Sequence, residues 1–201
     1  MSTLQSETQL QPESVVTEQP LNWKRFVLDI LETIILAVVL YFGINAVSAR
    51  VRVDGFSMNP TLQNGEYILV NKLAYKLGQP ERGDIVVFKF PLNPQEDLIK
   101  RIIGLPGDSV TVHSGVVTVN DTTLNEPYIK EAPYYDGEWI VPDGQLFVLG
   151  DNRNDSRDSH QWGMLPDENV IGRAVLIYWP PDEWQVINHL VDQVMPSLAT
   201  H

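Results

Sequence analysis

The sequence has no cysteine, four histidines, and only 14 Lys and Arg against 26 Asp and Glu. Without thiols there are no disulfides, no thiolate metal sites and no cysteine nucleophile. A net charge of −12 argues against a nucleic-acid partner, because a phosphate-binding surface needs a basic excess. Long apolar runs are also scarce, and only residues 26–47 stand out. The chain nevertheless has 201 residues, 43% of them hydrophobic. That is enough to bury a sizeable core and excludes disorder of the whole chain.

Residues 1–22 are polar, have no apolar period and read as a disordered tail. Residues 23–48 follow as one apolar segment. Its 22-residue core at 26–47 is roughly 33 Å long as a helix, against a bilayer core of about 30 Å. Asp29 and Glu32 interrupt its first third, and the uninterrupted run at 34–44 has 11 residues. Three readings compete: a retained single membrane anchor, a cleaved secretory signal ending at Val47-Ser48-Ala49, and a buried amphipathic helix. The long acidic tail and the two carboxylates favour the retained anchor. Lys24 and Arg25 before the span balance Arg50 and Arg52 after it, so charge does not set its orientation.

From residue 49 the pattern changes to short β-branched runs broken by Gly, Pro, Asn and Asp. Strands are expected at 51–53, 67–71, 84–90, 98–103, 109–112, 116–119, 139–141, 145–149 and 172–179. This is the signature of a mostly β, antiparallel domain over 49–180. His113-Ser114-Gly115 reads as a three-residue hairpin loop and Asn120-Asp121 as another turn. In the 181–201 tail, Ile187, Leu190, Val191 and Val194 recur at helical spacing, predicting a short amphipathic helix. Trp139, Trp162, Trp179 and Trp184, with Tyr134 and Tyr135, suit either the core or a membrane interface.

Three segments carry candidate chemistry. In Gly55-Phe56-Ser57-Met58-Asn59-Pro60-Thr61-Leu62, a serine lies on a backbone restrained by proline, which presents a hydroxyl in a fixed direction. In Leu98-Ile99-Lys100-Arg101-Ile102-Ile103, strand alternation places Lys100 and Arg101 on opposite faces. One cation is therefore expected among aliphatics. Lysine suits that place, because burial can leave its amine neutral while Arg stays charged. A neutral amine is a general base. The third segment, Gly150 to His160, follows an apolar strand and is dense in Asp and Asn. It fails as a calcium loop: Arg153, Ser156 and Trp162 occupy positions that need a ligand, glycine and glutamate.

Taken in order, Ser57-Met58-x-Pro60-Thr61-Leu62, Lys100-Arg101-Ile102-Ile103-Gly104-Leu105-Pro106-Gly107-Asp108 and Gly150-Asp151-Asn152-Arg153-x-x-Ser156-x-Asp158-Ser159 resemble the type I signal peptidases. The resemblance covers roughly residues 24–179. It implies a single N-terminal transmembrane helix followed by an antiparallel all-β catalytic domain. It also implies a Ser–Lys dyad that cuts signal peptides from exported preproteins after small residues. Ser57 matches the nucleophile and Lys100 the general base. Ser156 matches a serine that orients the base, and Asp158 a carboxylate that braces its loop. Met58, Leu62 and Ile99 match the pocket for the small side chain. The implied partners are preprotein signal peptides and the lipid bilayer, with no nucleic acid, metal or cofactor. The implied location is the cell membrane, or a thylakoid membrane, with the tail cytoplasmic and residues 49–201 outside.

Two positions depart from much of the family. Gly55 stands where one branch has a serine that joins the oxyanion hole, so the hole must rest on backbone N–H groups such as that of Ser57. Serine at position 55 is expected to be tolerated. His160 stands where many members have arginine beside the carboxylate, and Asp-Ser-His followed by Trp-Gly resembles the cyanobacterial and plastid branch. The rival readings are a Ser57–His160–Asp158 triad, a self-cleaving repressor-type protease, and an inactive membrane-tethered binding module. No Gly-x-Ser-x-Gly elbow surrounds Ser57, no DNA-binding helix pair is evident, and every dyad position is filled.

Overall fold

The computed structural model describes residues 23–189. Helix α1, Trp23–Val47, has 25 residues and is long and apolar enough to cross a membrane. The chain divides into two compact units at 42/43, and the β domain belongs to the second. Twelve strands follow in chain order: β1 Ser48–Arg52, β2 Tyr67–Asn71, β3 Ile85–Phe90, β4 Asn93–Gly104, β5 Ser109–His113, β6 Val116–Val119, β7 Thr122–Thr123, β8 Gly137–Ile140, β9 Gln145–Leu149, β10 Leu165–Pro166, β11 Val170–Trp179 and β12 Gln185–Val186. Two four-residue helices interrupt them, α2 at Ala74–Leu77 and α3 at Ser159–Trp162.

All strand pairs are antiparallel. The larger sheet runs β1-β2-β11-β3-β4-β9-β10, with β12 added to β11. The smaller sheet runs β7-β6-β5-β8. Strand β3 reads Ile-Val-Val-Phe without polar alternation because both of its faces are covered. Ile85 and Val87 pack with Met58, Leu62, Ile68 and Val70, while Val86 and Phe88 pack with Ile102, Leu146 and Val148. In the smaller sheet only one face is buried. Val110, Val112, Val117 and Val119 alternate inward, with half-buried Thr111 and Thr118 between them.

Two expectations change, the hairpin loop at 113–115 and the C-terminal helix. The 113–115 loop is a two-residue turn, because His113 pairs with Val116 across it. Ser114 and Gly115 have φ of 49° and 81°, the two left-handed positions of a type I′ hairpin. Asn120 and Asp121, at 50° and 63°, join β6 to β7 in the same way. At the C-terminal end, Gln185 and Val186 extend the sheet and Ile187 enters the first core rather than a helical stripe. The remaining positions of the predicted helix lie outside the described residues. The aromatic residues divide between the two readings. Trp139 packs on Phe147 and Trp162 on Phe88 and Phe90, whereas Tyr134, Trp179 and Trp184 are exposed.

Gly104, at the end of β4, touches both sheets. A Cβ there would lie 2.7 Å from Val110 Cγ2, 2.8 Å from Val141 Cγ2 and 3.1 Å from the Phe147 Cβ. Gly104→Ala should therefore overpack the core by about 1–3 kcal/mol. Thermal unfolding in detergent should show a Tm lowered by several degrees, and an unchanged Tm would contradict this packing.

Candidate active site

Strand β4 carries Lys100 and Arg101 side by side with opposite orientations. The expectation of a single buried cation is overturned, since both are almost fully buried, at 2% and 1% exposure. The physical reason is compensation. Arg101 Nε and Nη2 donate to the two oxygens of Asp151 at 2.8 and 2.7 Å, and Nη1 donates to the Gly83 carbonyl at 2.9 Å. The guanidinium also lies 4.0 Å from the centre of the Tyr128 ring. A planar fork that is always charged is tolerated inside when each edge is met in this way.

Lys100 has no such partner. Its Nζ lies 2.8 Å from Ser57 Oγ and 2.9 Å from its neighbour's carbonyl, that of Ile99. Burial pushes the amine down from 10.5 to about 8. Asp158 pulls the other way, Arg157 pushes further down, and Asp151 and Glu96 pull upward. The charged form therefore loses more to missing water than it regains from surrounding carboxylates.

Ser57 sits in the turn after β1. The strand-to-loop segment after β9 wraps around it: the Asn152 N–H donates to the Ser57 carbonyl at 3.0 Å and the Asn152 side chain to the Phe56 carbonyl at 3.1 Å. Thr61 donates to Asp151, so the Arg101 ion pair also ties the serine turn down. Gly150 is where the two loops meet. A Cβ there would lie 2.5 Å from the Ser57 carbonyl oxygen and 2.2 Å from Ser156 Oγ, so only glycine fits.

Asp158 is fully buried. Its Oδ2 accepts the Gly150 N–H at 2.9 Å, and its Oδ1 lies 2.6 Å from His160 Nδ1 and accepts the His160 backbone N–H at 3.3 Å. It also caps α3. His160 makes no hydrogen bond to Ser57, whose Oγ faces Lys100. Ser156 departs from its expected role. Its buried Oγ has no hydrogen-bond partner among the described residues, and Lys100 Nζ contacts Ser57 and the Ile99 carbonyl instead.

A cleft of about 260 Å³ opens beside Ser57 and Lys100, lined also by Gly55, Met58 and Ile99, with Arg52, Asp54 and Asp97 on its wall. Leu62 does not line it. The Leu62 N–H closes a helical turn on the Met58 carbonyl at 3.0 Å, which leaves its side chain in the core behind Met58. Gly55 has φ of +104°, and its N–H donates to Asn64 Oδ1 at 2.9 Å. The left-handed backbone, not lack of space, favours glycine here, which argues against the expected tolerance of serine.

Sequence reasoning missed the outer supports. Arg153 Nη1 and Nη2 donate to Glu126 at 2.7 and 2.6 Å, and Arg153 Nε donates to the Gly150 carbonyl at 3.1 Å. The Tyr128 hydroxyl donates to Glu126 Oε1 at 2.7 Å. The Arg–Asx density of the loop hinted at Asp151 and Arg153. Nothing in the local pattern singled out Glu126 or Tyr128.

Two outcomes follow from this geometry. Gly55→Ser should lower activity, because a side chain at that φ costs about 1–3 kcal/mol of strain or moves the serine turn; turnover at or above wild type would refute it. Lowering the Lys100 pKa from 10.5 to about 8 costs roughly 3 kcal/mol of stability, because the charged amine is buried without an ion pair. That cost is complete below pH 8 and disappears as pH rises towards 10.5, where the unfolded chain also loses the proton. Lys100→Met should thus raise Tm near pH 7, with the gain shrinking between pH 8 and 10.5. A pH-independent difference would show that burial does not lower the pKa of the amine.

Residues 26–179 match the family described as signal peptidase, peptidase S26. The chain is 46% identical over 164 residues to a probable signal peptidase I-2 of Synechocystis, covering 76% of this chain and 73% of that one. It is 45% identical over 159 residues to a signal peptidase I of Leptolyngbya laminosa, covering 75% and 78%. A chloroplastic thylakoidal processing peptidase 1 of Arabidopsis thaliana is 44% identical over 138 residues, covering 63% of this chain and 41% of that one. A buried lysine facing a serine on an antiparallel β domain, behind one apolar helix, thus comes with a match over three quarters of the chain: it belongs to the signal peptidase family, peptidase S26.

Proposed function

We propose that Ser57 is the nucleophile and Lys100 the general base of a dyad that cleaves preproteins after a small side chain, as at Ala-x-Ala sites. The observation that carries this is the 2.8 Å approach of Lys100 Nζ to Ser57 Oγ, with burial holding the amine near 8. The neutral amine takes the Ser57 proton as Oγ bonds to the scissile carbonyl carbon. It returns that proton to the leaving amine as the C–N bond breaks. Water then hydrolyses the acyl-enzyme by the same route. Among the described residues no hydrogen bond engages the Ser57 N–H, leaving it free to receive the oxyanion. Met58 and Ile99 line the cleft beside Ser57, where the small side chain before the cut would sit.

Helix α1 is the retained anchor, with residues 1–22 cytoplasmic and the β domain on the outer side of a plasma or thylakoid membrane. The exposed Trp179 and Trp184 suit contact with the lipid interface.

The test is cleavage of an Ala-x-Ala precursor by the full chain in detergent. Ser57→Ala and Lys100→Met should each abolish turnover, and wild-type kcat/KM should rise with pH through about 8 as the amine loses its proton. His160→Arg should keep most activity, since Arg also meets a carboxylate and stacks on an aromatic ring. A dead His160→Arg enzyme beside an active Lys100→Met enzyme would replace the dyad with the triad.

A further inference from the structure

We propose that Tyr135 is a positioning residue for the dyad, acting through His160 and Asp158. The idea rests on the Ser57–Lys100 assignment above and assigns a role to a side chain that touches neither residue. Tyr135 lies in the loop before β8 and packs against the core of the smaller sheet. Its ring stacks on His160 with centroids 3.9 Å apart and planes 7° from parallel. His160 is thereby held between that ring and the Asp158 carboxylate. Asp158 in turn holds Gly150, the point at which the loop presses on the Ser57 carbonyl and Ser156. The sequence of contacts runs from the smaller sheet to the nucleophile without a gap.

The chemistry gives the contact a consequence beyond packing. Asp158 is the leading charge that favours the protonated Lys100 amine, with Asp151 and Glu96 acting likewise and Arg157 opposing them. His160 draws part of the Asp158 charge to itself through its short contact. Removing the Tyr135 ring frees His160 to turn away, and Asp158 then acts more strongly on Lys100. The base becomes harder to deprotonate and the Gly150 contact loosens. Among the described residues the Tyr135 hydroxyl is buried without a hydrogen-bond partner, so the role is assigned to the ring. The ring alone carries the role, and phenylalanine serves as well.

The experiment uses the full chain in detergent with an Ala-x-Ala precursor. It compares kcat, KM and the pH profile of Tyr135→Ala, Tyr135→Leu, Tyr135→Phe, His160→Ala and the Tyr135→Ala/His160→Ala double variant. Tyr135→Ala and His160→Ala should each lower kcat by about tenfold, less than the hundredfold that misplacing a reacting group can cost. KM should stay within about twofold, and the acid limb of the profile should move to higher pH. The double variant should be no worse than His160→Ala alone, as for residues acting in one line. Tyr135→Phe should match wild type. Tyr135→Leu fills the space without a ring that stacks, and takes the place of Tyr135→Ala if circular dichroism shows the truncated variant unfolded. Wild-type kinetics in the ring-less variants, an impaired Tyr135→Phe, or additive losses in the double variant would each overturn the proposal. Turnover by Lys100→Met, measured alongside, would instead overturn the dyad itself.

Discussion

A lysine amine held out of water against a serine hydroxyl, with no carboxylate in contact, is unfavourable for a folded chain to maintain. Lys100 is in that position, and its neighbour Arg101 shows the alternative. Both cations are buried on one strand, yet only the guanidinium is met by an ion pair. The difference separates a cation fixed in its charge from an amine that can lose its proton. An amine paired like Arg101 would stay protonated and be useless as a proton acceptor.

Holding the unpaired amine requires a rigid surround, and the structure supplies it from both sheets. The loop after β9 grips the serine turn through Asn152, Asp151 and Gly150. Glu126 and Arg153 fasten that loop from outside, and Asp158 fastens it from within. The Arg101–Asp151 pair serves both ends at once, since Asp151 also receives Thr61 from the serine turn. Buried ion pairs add little net stability, because desolvation offsets their attraction, but breaking one costs several kcal/mol. Their value here is geometric: they leave the reacting groups few other places to be.

Most of the β architecture was legible because half-buried strands alternate and fully buried ones do not. Strands β2, β6 and β9 fall at their predicted limits for that reason. Strands β7, β10 and β12 have two residues each, too few to show a period. The site was legible where its residues cluster in sequence, at 57–62, 98–103 and 150–160. It was illegible where support comes from far along the chain, as with Glu126, Tyr128 and Tyr135. Gly55 and Gly150 show a further limit. The letter is the same, but one is needed for its dihedral angle and the other for an approach of 2.5 Å.

The adjacency of Lys100 and Arg101 has a consequence for how the chain finds its fold. Side chains alternate along a strand, so sliding β4 by one residue against β3 and β9 would exchange the two cations. The guanidinium would then face Ser57 with nothing to neutralise it, and Asp151 would face an amine unable to fill its bidentate site. Such a misthreaded sheet would be penalised at both places at once. Correct pairing of the central strand and competence to cut a peptide are therefore enforced by the same two neighbouring charges. The two cations act as a proofreader of the sheet that holds them.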